Sequence, residues 1–163
     1  ITMIDSLKNV DQYRDCIISF QKMDIEELSF MHDFVYGYKY RAMDELLRLY
    51  KEADLNVFSP AELVLAEGKT SIVTPPIIER HDSDYVVISG LTRLFYAYKH
   101  NIKKVLVAIV DNCQAATPTN GRFKVGELRI KDSPLDLSER SKRQYQNYRF
   151  IEQVLRPSNS SLL

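Results

Sequence analysis

The chain has 163 residues and equal numbers of basic and acidic side chains, 22 of each, so its formal net charge is zero. That length suits one domain, or one small domain with an extension. A protein that holds nucleic acid mainly through backbone phosphates usually carries a basic excess, so such binding here would need a local patch. Cys16 and Cys113 lie far apart in sequence, which argues against a zinc or disulfide framework.

The composition also argues against a membrane protein. No apolar run reaches the roughly 18–20 residues that a membrane-spanning helix needs. The opening residues lack a signal-peptide pattern. We therefore expect a cytoplasmic protein with two reduced thiols and no membrane partner. The three histidines share no ligand spacing, so the sequence predicts no metal site of its own.

Residues 1–54 are predicted to form a helical extension. A short helix is expected over residues 5–20, and a longer one over residues 25–53. Asp24 can cap the longer helix, and Glu27 follows at the spacing of a capping box. Its apolar residues recur at mostly helical spacing, which favours packing on a core. A homodimer interface through residues 25–53 is the alternative.

A predicted core domain covers residues 55–115. It opens with a short strand, Leu55–Phe58, and with Ser59-Pro60-Ala61-Glu62, which matches a capping box with proline at the first helical position. Further along, the pattern predicts two strands joined by a turn, then a helix and a third strand; these are Ile77–Arg80, Tyr85–Ile88, Thr92–Asn101 and Val105–Val110.

Residues 116–163 are predicted to complete the domain. Residues 112–121 read as a polar loop, residues 123–130 as one or two strands, and residues 138–155 as a basic helix. That helix interleaves tyrosines with basic side chains; the candidates for contact with DNA or phosphate are Arg140, Lys142 and Arg143. A solvated charged face is the other interpretation, and the favoured one.

The segment Ser89-Gly90-Leu91-Thr92-Arg93 joins a strand to a helix and is the candidate ligand site. The first N–H groups of a helix have no internal partners, and the helix dipole adds positive charge there. Glycine lets an anion approach the backbone, and Arg93 can bind phosphate through two hydrogen bonds. The same residues also fit a purely structural role, in which Gly90 makes the turn and Arg93 pairs with a surface carboxylate.

The order of these elements resembles the ParB/sulfiredoxin superfamily. The resemblance rests on Pro76-Ile77-Ile78, on Val86-Val87-Ile88-Ser89-Gly90 followed by Arg93 and Ala97, and on the strand that ends near Asp111; it covers about residues 55–112. It implies an α+β fold with a small mixed sheet. It also implies that Gly90, Thr92 and Arg93 bind a nucleotide, with ATP, ADP and CTP undecided and Mg²⁺ as a candidate companion ion.

Several residues depart from the family pattern. Sulfiredoxins carry a reactive cysteine where Leu91 stands, so sulfiredoxin activity is not expected. Kinase-like members often have an aspartate where Ser89 stands, which weakens the expectation of Mg²⁺-dependent phosphoryl transfer. Glu62 resembles an acidic catalytic residue of those kinases and is the candidate general base, with capping as its alternative role.

The resemblance and the residues together leave three functions open. The leading one is a nucleotide-binding module in a DNA-associated or regulatory protein. The second is a nucleotide-dependent enzyme of the same fold, either a nucleoside-triphosphate hydrolase or a small-molecule kinase, with Glu62 as base. The third is a catalytically inactive module whose working surface is the tyrosine-rich helix over residues 25–53.

Overall fold

The computed structural model describes residues 3–64, 70–111, 121–132 and 153–157. These residues form a mixed α+β fold, as the sequence predicts. It has three α-helices: α1 (Met3–Lys8), α2 (Gly37–Glu52) and α3 (Leu91–Lys99). Its ten strands are β1 (Ile17–Asp24), β2 (Ser29–Phe30), β3 (Phe34–Tyr36), β4 (Ala61–Val64), β5 (Thr70–Val73), β6 (Ile77–His81), β7 (Asp84–Ser89), β8 (Lys104–Asp111), β9 (Arg129–Lys131) and β10 (Gln153–Pro157).

The chain divides into two compact units, each built from segments that are distant in sequence. The first unit comprises residues 1–33, 75–128 and 159–163, and the second comprises residues 34–74 and 129–158. Among the described residues, no helix is both long and apolar enough to cross a membrane.

The first unit contains a five-stranded sheet in the order β1-β8-β6-β7-β2. β6 and β7 form an antiparallel hairpin, and β8 then pairs parallel to β6 on its other side. A parallel neighbour requires a crossover connection, and α3 supplies it. The elements predicted for this region are therefore confirmed. Their β-branched residues suit a buried strand, and Asn101 ends the helix with φ 60°.

Strand β8 is buried on both faces of this sheet. Ala108 and Val110 of β8 pack with α1 residues Met3 and Leu7, and with the buried side chain of Cys16. Alternate strand residues point to opposite faces. The intervening residues of β8 are also buried; they are Val107 and Ile109. The first unit therefore has apolar material packed on both sides of β8.

The second unit has a three-stranded sheet, β10-β4-β5, and a two-stranded parallel sheet, β3-β9, together with α2. The apolar face of α2 is buried, notably at Leu46, Leu49 and Tyr50. Tyr50 packs edge-on against Phe58, with ring centroids 5.7 Å apart, and donates a hydrogen bond to the carbonyl oxygen of Ser59. This burial agrees with core packing as the role of the α2 stripe.

The predicted helices over residues 5–20 and 25–53 are confirmed only in part, since α1 ends at Lys8 and α2 covers Gly37–Glu52. Residues 17–24 form β1, which pairs along its whole length with β8. Asp24 does accept a hydrogen bond from the N–H of Glu26, but it caps only a single 3₁₀ turn. Helix α2 begins at Gly37. Between the 3₁₀ turn and α2, β2 pairs with β7, so tertiary strand pairing overrides the local helical pattern.

The predicted elements around residues 55–62 and at the C-terminus also need correction. Leu55–Phe58 lies in turns rather than a strand, and Ala61–Val64 is β4 rather than the start of a helix. Pairing of β4 with β5 accounts for the difference, since it places this segment in a hairpin. Residues 153–157 form β10, so the predicted helix over residues 138–155 is wrong at its end; its other residues lie outside the described ones.

Candidate functional site

Gly90 adopts a backbone conformation that glycine alone accepts readily. Its φ is 90° and its ψ 18°, in the left-handed region. A Cβ atom at this position would lie 2.8 Å from Cβ of Pro76 and 3.2 Å from its Cα. Pro76 is itself held, because its carbonyl oxygen accepts a 2.8 Å hydrogen bond from the N–H of Ala108. Conformation and space therefore both require glycine at the bend.

Helix α3 begins immediately after the bend at Gly90. Gly90 is the N-cap residue and has no side chain of its own with which to cap the helix. The first hydrogen bond of the helix runs from the N–H of Leu94 to the carbonyl oxygen of Gly90, at 3.0 Å. The N–H groups of Leu91 and Thr92 precede this hydrogen bond, in the first turn, where a helix offers no backbone acceptor of its own. The helix dipole places partial positive charge at this end.

The side chains of this segment are accessible. Ser89 is exposed, whereas Gly90, Leu91, Thr92 and Arg93 are partly exposed. The next residues of α3 are fully buried, so the helix is anchored in the core immediately beyond its first turn. The five sequence-predicted residues therefore lie together at one accessible helix terminus. We call Ser89–Arg93 the cradle.

The other candidate residues lie elsewhere. Glu62 is in β4, where its backbone pairs with Ile72. It belongs to the second unit, and the cradle belongs to the first. Arg140, Lys142 and Arg143 lie outside the described residues. Within the described part of the chain, no three His, Cys, Asp or Glu side chains are grouped to hold a metal ion.

The sequence interpretation missed a buried polar cluster centred on Glu79. This glutamate is fully buried in β6. The hydroxyl of Tyr13 donates a hydrogen bond to its Oε2, and Gln12 Nε2 does so at 3.4 Å. His81 Nε2 lies 2.8 Å from Oε1. The sequence does contain an indication of this cluster: Glu79 interrupts an apolar strand, and His81, two residues later, lies on the same face of it.

An open cleft of about 360 Å³ lies at the other end of α3. Its charged lining is mixed, with Asp24 and Glu26 opposed by Lys99 and Lys103. A lining with both charges does not favour an anion over a cation, so the cleft is a poorer candidate for binding phosphate than the cradle.

Comparison with known proteins gives no family assignment. No protein-family model, no curated protein and no solved structure matches the chain.

Proposed function

We propose that the chain binds the phosphate of a nucleotide at the cradle. The observation that carries the proposal is the left-handed Gly90, which packs on Pro76 and leads directly into α3 as an N-cap residue without a capping side chain of its own. Such a terminus offers N–H donors and a favourable dipole to an anion. The resemblance to the ParB/sulfiredoxin superfamily favours a nucleotide over a simple phosphate ion.

Arg93 gives the proposed site its charge. It lies in the first turn of α3 and is partly exposed. Its planar guanidinium can donate two parallel hydrogen bonds to a phosphate, which a lysine cannot do. Thr92, beside it, offers a hydroxyl that can contact phosphate or a phosphate-bound Mg²⁺. In this account the backbone positions the anion and Arg93 neutralises it.

Isothermal titration calorimetry with ATP, ADP and CTP, each with and without Mg²⁺, tests the proposal. Inorganic phosphate serves as the reference ligand. Arg93→Ala is expected to weaken the preferred nucleotide roughly 10- to 150-fold, which corresponds to the loss of a hydrogen bond to a charged group. Arg93→Lys should fall between that variant and the unaltered chain.

Arg122→Ala is the matched control, since it removes the same charge from the same unit, where Arg122 pairs with Asp84 at 3.5 Å. It should leave nucleotide affinity unchanged. Equal affinity of the Arg93→Ala variant and the unaltered chain would refute the site. The absence of any nucleotide binding at millimolar concentration would refute the function.

A further inference from the structure

One face of the β3-β9 sheet combines aromatic and basic side chains. In β3, Phe34 and Tyr36 flank the buried Val35 and therefore point to the opposite face from it. The parallel register sets Arg129 beside Phe34 and Lys131 beside Tyr36. Directly paired residues share a sheet face. The two rings are partly exposed and the two basic residues are exposed, so this face of the sheet is accessible to solvent.

A third ring extends this face into the start of α2. Tyr38 stacks on Tyr36, with centroids 6.0 Å apart and planes inclined by 21°. Phe34 meets Tyr36 edge-on at 5.4 Å and 69°. Tyr38 is also partly exposed. We call Phe34, Tyr36 and Tyr38 the aromatic row. Its contacts hold three neighbouring rings in a fixed arrangement beside the basic residues.

Lysine ammonium groups lie over these rings. Lys131 Nζ is 4.8 Å from the centroid of Phe34, and Lys39 Nζ is 5.8 Å and 5.9 Å from the centroids of Tyr36 and Tyr38. Such cation–π contacts are weak at exposed sites, and the lysine stem is flexible. An ammonium can therefore leave a ring for a nearby phosphate and open the ring face to a planar group.

We propose that the aromatic row, together with Lys39, Arg129 and Lys131, binds single-stranded nucleic acid. Unpaired bases would stack on the rings, while the basic side chains would contact the phosphates between them. A duplex hides the faces of its bases, and an acidic polypeptide has no planar groups to stack. The combination of rings and cations therefore fits a single strand better than it fits a duplex or an acidic polypeptide. The acidic neighbour Asp132 is paired with Arg41 at 3.5 Å.

This surface is independent of the cradle. It lies in the second unit, whereas the cradle lies in the first, and the two share no residue. It also resolves the objection raised by the zero net charge, because a local group of cations can bind phosphates without an overall basic excess. Failure of one proposal therefore leaves the other standing.

Fluorescence anisotropy with labelled homopolymeric oligonucleotides of about 16 nucleotides tests the inference. Single-stranded DNA and RNA are separate arms, and binding of either supports it. A duplex of matched length and polyglutamate are the competitors, and both are expected to compete poorly. Tyr36→Ala should weaken binding roughly 5- to 150-fold, the effect of losing one stacked base. Tyr36→Phe should restore it, and Lys131→Gln should reduce the salt dependence.

Tyr85→Ala is the matched control. Tyr85 also lies under a cation, with Arg80 Cζ 5.6 Å from its centroid, but it belongs to the first unit. This variant should bind normally. The inference is overturned if Tyr36→Ala and Lys131→Gln both bind like the unaltered chain, if polyglutamate or duplex competes equally well, or if no oligonucleotide binds at low salt. Lys131 is exposed, so its variant tests the surface even if the Tyr36→Ala variant does not fold.

Discussion

Replacement of Gly90 by alanine tests the geometry of the bend. The left-handed backbone costs an L-residue about 1–2 kcal/mol. The added Cβ would also lie 2.8 Å from Cβ and 3.2 Å from Cα of Pro76. Pro76 cannot move away easily, because its carbonyl oxygen is hydrogen-bonded to Ala108 in β8. Overpacking of this kind adds about 1–3 kcal/mol to the loss of stability. We therefore expect Gly90→Ala to lower the free energy of unfolding by about 2–5 kcal/mol.

Urea denaturation followed by circular dichroism measures this loss as a lower midpoint at an unchanged slope. Gly126→Ala is the matched control. Among the glycines that the structure describes, Gly90 alone has a positive φ, and a Cβ at Gly126 would meet the Tyr98 hydroxyl at an ordinary 3.7 Å. That variant should be neutral or slightly stabilising. If the two variants have the same midpoint, the argument for the bend is refuted.

Three further predictions concern other contacts. Glu79→Ala removes the acceptor of the buried Tyr13 hydroxyl and should cost about 1–3 kcal/mol of stability in urea denaturation; an unchanged stability would contradict it. Hydrogen bonding from Arg48 holds the pKa of Glu45 below its usual range, so this pair stabilises at neutral pH and less as pH falls through that lowered pKa. Arg48→Ala should accordingly reduce the melting temperature slightly at pH 7 and not in acid, and a constant difference would argue against the pair. Asp24→Ala removes the 3₁₀ cap and should cost about 0.5–1 kcal/mol, measured against Asp24→Asn, which retains an acceptor.

The sequence predicts the region from β6 to β8 well because local and tertiary preferences agree there. β-branched runs become buried strands, Gly90 makes the bend, and Asn101 ends the helix. Near the N-terminus these preferences conflict. Asp24 caps a single 3₁₀ turn and not the long predicted helix, because the following residues form strand pairs, with Phe30 opposite Val87. A local helical pattern does not show whether a distant strand will pair with the same residues.

The same distinction separates the site residues. The cradle is contiguous in sequence, so one strand-to-helix junction indicates all five of its residues. The aromatic row depends on a partner strand, because Lys131 reaches Phe34 only through a parallel pairing across more than half the chain. The Glu79 cluster likewise joins β6 to Tyr13, 66 positions earlier. Groups of residues that are brought together by distant strands can be identified only when the pairing register of the strands is known.

In the proposed site, the backbone N–H groups at the start of α3 bind phosphate. An amide NMR titration of the ¹⁵N-labelled chain with the preferred nucleotide observes these groups one by one. We expect the amide resonances of Leu91, Thr92 and Arg93 to shift most, and Arg93→Ala to abolish these shifts. Shifts confined to the cleft at the opposite end of α3, around Lys99 and Asn101, would rule out this mode of binding.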